Sequence, residues 1–496
     1  MLQIQGLGPK KVKALHDQLG IETLDALEAA GRQGRIAQLA GFGEKTQSRI
    51  LEGIEFRRTY ASRHLWIDGW TAADPILATL RQHPEVIRCS TAGSLRRHKE
   101  IVGDLDFVVS SRRPAAILES FTHLPGILKI TAHGETKASV LLEGGLQADL
   151  RVVSDAEYPF ALAYFTGSKE HNIVMRQRAI DRGLRLNEYG LFRSVEETRD
   201  PQLRLPCRTE DEIFAALDLA AIPPELREDQ GEFAAAERNA IPRLLEWTDL
   251  KGSLHNHSDW SDGRQSLEAI AAMGQDLGCA YWAVTDHSRS SFVANGLDPA
   301  RLRRQIIAVA ELNSQLADGG ADFRLLTGTE VDILGDGALD LPDNLLAHLD
   351  VVVASLHQGF STDEKSMTRR LIRAAENPYV HMLGHPTGRL LLGRAGYPVN
   401  LEAVLDACAA TGTWIELNAN PLRLDLDWRW WPRAKAKGVQ CVINCDAHRP
   451  EHAAFLRLGA GIARKGWLTR DDVVNALPLD ALRHALRAKR EARSVR

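Results

Sequence analysis

The sequence predicts a multidomain α/β protein whose C-terminal half is a parallel barrel of strands and helices. With 496 residues the chain is too long for one hydrophobic core, because single cores stop growing at roughly 250 to 300 residues. Short β-branched runs lie between helices over residues 65–155, which is typical of a small α/β sheet domain. From residue 249 onward, apolar strand-like runs alternate with helices, and this alternation predicts a parallel sheet, open or closed. A segment of about 250 residues favours the closed barrel.

The composition excludes several other classes of protein. A content of 44% hydrophobic and 25% charged residues fits neither a disordered nor a fibrous chain. No apolar run approaches the roughly 18 residues of a membrane span, so no membrane partner is expected. The start, MLQIQGLGPKK, lacks the apolar stretch of a secretory signal, and six scattered cysteines fit a reducing compartment, so we predict a cytoplasmic protein. A net charge of −4 decides little, because a basic surface beside acidic metal sites would average to such a value.

Two glycine turns of one design mark the predicted helical segment over residues 1–58. GLGPK at 6–10 and GFGEK at 41–45 each precede an amphipathic helix, which indicates a pair of helix-hairpin-helix units. Such turns expose backbone amides that bind a DNA phosphate, and neighbouring lysines add charge without reading sequence. The candidate DNA-binding residues are Gly6, Gly8, Lys10, Gly41, Gly43 and Lys45. The alternative is that these glycines only cap helices.

Three carboxylates recur in apolar strands of the predicted small sheet. Asp104 and Asp106 are two residues apart, so on a strand both side chains point to one face. Asp149 is a third carboxylate inside an otherwise apolar strand, where an unpaired charge is costly to bury. Three converging carboxylates suit a pair of Mg²⁺ ions that activate a hydroxyl and hold a triphosphate. The alternative is that they are solvated strand ends.

A glycine-serine turn before these carboxylates favours the metal interpretation. Gly93 and Ser94 enter a short predicted helix, where backbone amides and the helix dipole attract phosphate. Arg97 follows and would add a charge-assisted hydrogen bond.

Gly-Ser, a basic pair and Gly-Asp-x-Asp form a nucleotidyltransferase signature, and on these residues the chain resembles the family X DNA polymerases. The resemblance continues through YFTGSKEHN at 164–172 and LNEYG at 186–190, which are similar to that family's nucleotide-binding and thumb motifs. It implies a polymerase-beta-like nucleotidyltransferase palm and thumb, with Mg²⁺ or Mn²⁺ held by the catalytic residues Asp104, Asp106 and Asp149. The implied partners are gapped or primed DNA and deoxynucleoside triphosphates.

The same resemblance assigns a role to each nucleotide-binding candidate. These candidates are Gly93, Ser94, Arg97, Gly103, Tyr164, Phe165, Gly167 and Asn172. Ser94 and Arg97 would hold the β- and γ-phosphates, residues 164–167 would pack against the sugar, and Asn172 would meet the base edge. Arg176 is a candidate for contacting the DNA template. For Tyr164 and Phe165 the alternative is that both aromatic rings fill a core.

Residues that bind metals recur at the ends of successive predicted strands in the C-terminal half. The nine candidates are His255, His257, Asp262, His287, Glu330, His357, His385, Asp446 and His448. Since the C-terminal strand ends of an α/β barrel meet on one face, we expect these side chains to converge there. Imidazole and carboxylate together suit Zn²⁺, Mn²⁺ or Fe²⁺, and nine ligands would hold two or three ions. A lone histidine is usually structural, but the recurrence at strand ends argues against nine coincidences.

The HxH opening together with the TDHS, GTE, SLH, GHP and NCDAH segments resembles the polymerase-and-histidinol-phosphatase (PHP) domain, a distorted barrel. In bacterial family X polymerases that domain supplies a 3′-to-5′ exonuclease, often manganese-dependent, and sometimes an endonuclease at abasic (AP) sites. The resulting division is a fingers-like helix-hairpin-helix domain at 1–58, a palm at 59–155, a thumb at 156–225, a linker at 226–248 and a PHP domain at 249–496.

The leading hypothesis is a monomeric repair polymerase that fills short gaps and trims the 3′ end. Members of the family normally begin with a further helical segment that binds the 5′-phosphate of a gap and sometimes carries a lyase, and we predict that this segment is missing. One alternative is a phosphoesterase whose N-terminal half only binds DNA, and another is a nonenzymatic DNA-end scaffold. The aspartate trio argues against the first alternative, and the full ligand set argues against the second.

Overall fold

The structure is a computed structural model that describes residues 4, 7–60, 62–194, 196 and 198–494, with the backbone alone at 56, 57, 59 and 492–494. Within these residues no helix is long and apolar enough to cross a membrane. The described chain forms a helical N-terminal unit, a five-stranded sheet with a helical subdomain, and a seven-stranded parallel barrel.

The N-terminal unit consists of three helices, as the two glycine turns predict. They are α1 (Pro9–Leu19), α2 (Leu24–Arg32) and α3 (Gly43–Thr59). Pro9 occupies the first turn of α1, where its missing N–H costs nothing, and Gly20 ends the helix with a left-handed φ of 65°. Leu15, Leu27 and Ile50 are fully buried between the helices, so this unit has a small core of its own.

The predicted palm is a five-stranded sheet with helices packed against it. Its elements are β1 (His64–Leu65), α4 (Trp66–Gln82), β2 (Arg88–Thr91), α5 (Gly93–Arg96), β3 (Ile101–Val102), β4 (Asp104–Ser110), α6 (Pro114–Thr122), β5 (Ile127–His133), β6 (Lys137–Leu142) and β7 (Gln147–Val153). The strand order is β2-β4-β7-β6-β5, while β1 and β3 pair separately. Strands β4 and β7 are parallel neighbours, and their register sets Asp106 opposite Asp149.

The helical subdomain after the sheet corresponds to the predicted thumb. Its elements are α7 (Tyr158–Thr166), α8 (Lys169–Ile180), β8 (Arg185–Asn187), β9 (Gly190–Phe192), α9 (Glu210–Ala216) and α10 (Glu232–Glu237). Phe160, Met175 and Phe214 from three of these helices are buried together and form its core.

Residues 226–248, for which the sequence predicts a linker, are packed against this core. Leu226 and Leu244 are buried with the thumb side chains. Glu232 is fully buried and lies 3.0 Å from Nδ1 of His171 on α8. Pro242 and the charges of this stretch indicate an exposed connection, but its apolar side chains are buried in a core and Glu232 has a buried partner. The exact domain boundaries stay a prediction.

The C-terminal half is a nearly closed parallel barrel. Its elements are β10 (Gly252–Ser253), α11 (Leu267–Asp276), β11 (Tyr281–Val284), α12 (Pro299–Asp318), β12 (Arg324–Asp332), α13 (Asp343–Leu346), β13 (Val351–Ser355), α14 (Glu364–Glu376), β14 (Met382–Leu383), α15 (Leu401–Thr411), β15 (Trp414–Asn418), α16 (Trp431–Ala436), β16 (Cys441–Asn444), α17 (Phe455–Lys465) and α18 (Leu479–Ser494). The seven strands follow chain order and all pair in parallel. A parallel bridge between Asn256 and Ala447 joins the segments after the first and last strands. The barrel prediction is therefore confirmed, and the C-terminal strand ends share one rim.

Candidate active sites

The three aspartates of the palm share one end of the β4 and β7 pair. Asp106 lies directly opposite Asp149, and Asp104 stands two residues before Asp106 on the same face. Lys137 on β6 lies beside the trio, with Nζ 3.7 Å from Oδ1 of Asp149. Burial, together with the charges of Asp104 and Asp149, raises the pKa of Asp106 to about 7. Three carboxylates so close together repel one another, and a divalent cation between them would relieve that repulsion.

The raised pKa makes the affinity of this site for divalent cations depend on pH. A raised carboxylate pKa means that Asp106 carries a proton below about pH 7, and a cation must displace that proton. We expect Mn²⁺ binding to weaken about tenfold for each pH unit below 7 and to level off above it. Electron paramagnetic resonance of Mn²⁺ without nucleotide measures this, in a His255→Ala/His257→Ala/His287→Ala background that removes ligands from each of the three His/Asp/Glu groups of the barrel. Equal affinity at pH 6 and pH 8 would contradict the assignment.

The glycine-serine turn is pressed against the aspartates. Gly93 has a left-handed φ of 59°, and a Cβ at this position would lie 2.1 Å from Oδ2 of Asp106. Only glycine allows this close approach to Asp106. Gly103 is also crowded, since a Cβ there would lie 2.7 Å from Nη1 of Arg63.

Arg97 is held between the palm and the thumb. Its Nε donates to Oε1 of Glu228 at 3.0 Å, and its Nη1 donates to the carbonyl of Thr166. Gly167 is close by, because a Cβ there would lie 3.1 Å from Nη1 of Arg97. The sequence gives no signal for Glu228, which lies in the predicted linker.

The remaining nucleotide-binding candidates lie around a groove of the thumb. Tyr164 and Arg176 both line an open cavity of about 450 Å³. Asn172 donates from Nδ2 to the carbonyl of Tyr164 at 2.7 Å. Phe165 packs partly buried against the neighbouring core, with the guanidinium of Arg151 5.2 Å from its ring centroid. Phe165 therefore packs partly against a core and Tyr164 lines the groove, and contact of either ring with a nucleotide stays a prediction.

The N-terminal turns present their glycines at the starts of α1 and α3. Gly41 and Gly43 have φ values of 83° and 65°, which only glycine adopts without strain. Gly8 precedes α1 in an extended conformation, and Lys10 and Lys45 are exposed. Gly6, also a candidate, lies outside the described residues. DNA binding by these turns stays a prediction.

The nine histidine and carboxylate candidates converge on the barrel rim around Glu330. The fully buried Glu330 carboxylate lies 2.9 Å from Nδ1 of His287, 2.9 Å from Nε2 of His385 and 3.3 Å from Nε2 of His357. Its Oε2 lies 3.4 Å from Nε2 of His255 and 3.6 Å from Nε2 of His257. One glutamate thus occupies the centre of five imidazoles.

Two further carboxylates complete the cluster. Asp446 lies 3.1 Å from Nε2 of His257 and 3.6 Å from Nδ1 of His448. Asp262 lies 3.7 Å from His287 and 3.5 Å from His448. Three groups of ligand atoms lie close enough to share an ion: His257, Asp262, His287 and His448; His255, His257 and Glu330; and His287, Glu330 and His357.

The protonation of one central imidazole, that of His257, fits a metal site. Burial and the neighbouring His448 and His287 lower the pKa of His257 to about 3, so its imidazole is neutral and free to coordinate. Both ring nitrogens of His257 and Nε2 of His255 are buried without a hydrogen-bond partner. Buried polar atoms without partners are rare in folded proteins, and divalent cations would satisfy these nitrogens.

Two carboxylates that the sequence analysis missed orient the histidines. Glu416 on β15 is fully buried and accepts a hydrogen bond from Nδ1 of His255 at 2.7 Å. Asp332, at the end of β12, accepts from Nδ1 of His357. Both contacts leave Nε2 facing Glu330, which is how ligating histidines are commonly held. A charged residue inside the apolar run GTWIELNAN was a usable signal, by the same argument that singled out Asp149.

Replacing Glu416 with glutamine tests this orienting role. Oε1 of Glu416 accepts from His255, and Oε2 accepts from the backbone N–H of His385 at 2.6 Å. In glutamine one of these oxygens becomes an amide nitrogen, which would face a hydrogen-bond donor. We expect Glu416→Gln to weaken metal binding at the rim by about 10- to 100-fold while primer extension is unchanged. Competition with a chelator measures the affinity. Unaltered affinity would show that Glu416 serves only the packing of the barrel.

Comparisons with known proteins place the chain in a family. The model of the DNA polymerase beta thumb matches residues 161–228, and the model of the SAM-like helix-hairpin-helix tandem matches residues 1–55. The chain is 39% identical over 481 residues to the DNA polymerase/3′-5′ exonuclease PolX of Bacillus subtilis, an alignment that covers 97% of this chain and 82% of that protein. The chain therefore belongs to the PolX family, the family X DNA polymerases that carry a PHP domain.

Two other matches each cover one part of the chain. A probable phosphatase of Caldanaerobacter subterraneus is 29% identical over 187 residues, which is 33% of this chain and 71% of that protein. A crystal structure of Leishmania infantum polymerase beta in a ternary gap complex is 22% identical and covers 46% of this chain and 87% of that one, with a TM-score of 0.30.

Proposed function

We propose that this protein fills short gaps in DNA at the palm and removes 3′-terminal nucleotides at the barrel rim. The proposal is supported by two separate clusters of ligand-type side chains in one chain, one of carboxylates and one of imidazoles and carboxylates. Asp106 faces Asp149 across a parallel strand pair, and Glu330 lies at the centre of five imidazoles. The PolX of Bacillus subtilis is named as a DNA polymerase and a 3′-5′ exonuclease.

In the palm, Asp104, Asp106 and Asp149 would hold Mg²⁺ or Mn²⁺, since carboxylate oxygens are the preferred ligands of these ions. Bound cations would lower the pKa of the primer 3′-hydroxyl and neutralise charge on the triphosphate. The primer oxygen attacks the α-phosphorus, the bond to the bridging oxygen breaks, and pyrophosphate leaves. Ser94 and Arg97 would hold the departing phosphates, and the glycine turns of α1 and α3 would hold the DNA backbone.

At the barrel rim, the mixture of imidazole and carboxylate ligands suits two or three Mn²⁺, Zn²⁺ or Fe²⁺ ions. Such ions supply a water of lowered pKa and polarise a phosphodiester. Arg423 extends the site, with Nε 3.7 Å from Oδ2 of Asp446, and would bind the phosphate being cut. The substrate is the last phosphodiester at a DNA 3′ end, and the protein would act as a monomer.

The direct test is an assay of the unmodified protein on DNA with a short gap and a labelled primer. With triphosphates and Mg²⁺ or Mn²⁺ we expect the primer to lengthen until the gap is filled. Without triphosphates and with Mn²⁺ we expect it to shorten from its 3′ end. Degradation without any extension would support the alternative, a phosphoesterase whose N-terminal half only binds DNA.

A further inference from the structure

A fully buried lysine of the barrel makes all its hydrogen bonds to the polymerase half. Lys465 ends α17, and its side chain has no exposed surface. Its ammonium lies 2.6 Å from Oε1 of Glu228, and donates to the carbonyls of Arg97 at 3.0 Å and Glu225 at 3.2 Å. A buried ammonium is costly unless every donor is used, so these contacts fix its position tightly.

The carboxylate of Glu228 links this lysine to the arginine of the glycine-serine loop. The same oxygen, Oε1, accepts from Nε of Arg97 at 3.0 Å, and Oε2 lies 3.7 Å from Nζ of Lys99. Burial would raise the pKa of Glu228, but the charges of Lys465, Arg97 and Lys99 outweigh it and lower that pKa. Glu228 is therefore an ionised carboxylate shared by three cations, of which Lys465 alone comes from the barrel.

The loop that follows Arg97 is also held by the barrel. His98 stacks on Trp66 with ring centroids 4.8 Å apart and lies so close to α17 that a Cβ on Gly461 would be 2.1 Å from its Nδ1. Glu100 accepts from Nε1 of Trp428 at 3.0 Å and from Arg429 at 2.8 Å. The barrel thus fixes both the backbone of this loop and the partner of its arginine.

We infer that Lys465 is a positioning residue for the polymerase reaction, which acts through Glu228 and the Arg97 carbonyl to fix the guanidinium that would bind the triphosphate. The inference rests on the proposed function of the palm. With Lys465 present, the Glu228 carboxylate interacts with three cations at once, so its attraction for Arg97 is weaker. Arg97 is then available to bind a phosphate. Without Lys465, Glu228 would bind Arg97 more strongly and compete with the triphosphate for it. The barrel then contributes to nucleotide binding as well as to its own chemistry.

The test is Lys465→Met in the full-length protein, assayed for gap filling at saturating DNA. Methionine keeps the unbranched apolar stem of lysine, is one atom shorter, and removes the charge. We expect the KM for the incoming triphosphate to rise about tenfold, the effect of losing one charge-assisted hydrogen bond, while kcat and 3′ degradation stay within about twofold. Measuring both activities in one sample separates this effect from partial unfolding, which would lower them together.

Two further variants make the result specific. Arg464→Met is the matched control, because Arg464 precedes Lys465 on α17 and contacts Glu225 at 2.7 Å and Glu246 at 2.6 Å without touching Arg97. It should leave the triphosphate KM unchanged. The double variant Glu228→Gln/Lys465→Met should have a triphosphate KM within about threefold of that of Glu228→Gln alone, since Lys465 acts through the Glu228 carboxylate.

Provided that the unmodified protein extends primers, any of three outcomes would overturn the inference. They are an unchanged triphosphate KM in Lys465→Met, an equal rise of that KM in Arg464→Met, or additive effects on that KM in the double variant. If the unmodified protein failed to extend primers at all, the proposed function itself would fall.

Discussion

Primer extension by an Asp104→Ala/Asp149→Ala variant is expected to fall by about a thousandfold or more, while its 3′ degradation persists. Asp149 faces Asp106 across the β4 and β7 pair, so the double change leaves one carboxylate where three converge. A single carboxylate cannot hold two divalent ions against their hydration, and the charge stabilisation they supply to phosphoryl transfer would be lost. Single-turnover extension on gapped DNA measures the effect.

A matched control lies on the same sheet. Glu143 is exposed in the turn between β6 and β7, and Glu143→Ala should extend primers normally. Loss of degradation together with extension in the aspartate variant would mean that both activities depend on one site.

The converse variant, His255→Ala/His257→Ala, is expected to lose 3′ degradation by about a thousandfold and to keep primer extension within about twofold. Both imidazoles are fully buried beside Glu330, and His257 also approaches Asp446. Removing them takes ligands from two of the three groups that could hold an ion, and the pKa lowering that such ions give a water would be lost.

His348→Ala is the control for this variant, because His348 is exposed and lies outside the cluster. It should degrade 3′ ends at the normal rate. Retained primer extension in the double variant shows that the polymerase half is still folded. Normal 3′ degradation by the double variant would show that the rim cluster is not the site of degradation.

Much of this architecture follows from patterns in the sequence. The alternation of apolar runs and helices predicts the parallel barrel, and the strand-end positions of the histidines predict their convergence, because a parallel barrel has only one C-terminal rim. The spacing of Asp104 and Asp106 likewise sets their common face. The structure brings the palm aspartates together and, separately, the histidines and carboxylates of the barrel. That these side chains bind metal ions stays a prediction.

The residues that the sequence did not reveal depend on contacts between distant segments. Glu228 lies in a stretch whose prolines and charges indicate a linker, yet it meets Lys465 from the far end of the chain. Glu416 is a carboxylate inside an apolar run, which indicates a buried partner, but only the fold identifies His255 as that partner. Composition describes a residue's local surroundings, whereas pairing of this kind is set only when the chain has folded.

The central claim, that one chain holds two separate cation sites, is tested most directly by anomalous diffraction from crystals soaked in Mn²⁺. We expect anomalous peaks between Asp106 and Asp149 and a second, distinct group of peaks around Glu330. Absence of Mn²⁺ from either position, under conditions in which the crystallised protein is active, would contradict it.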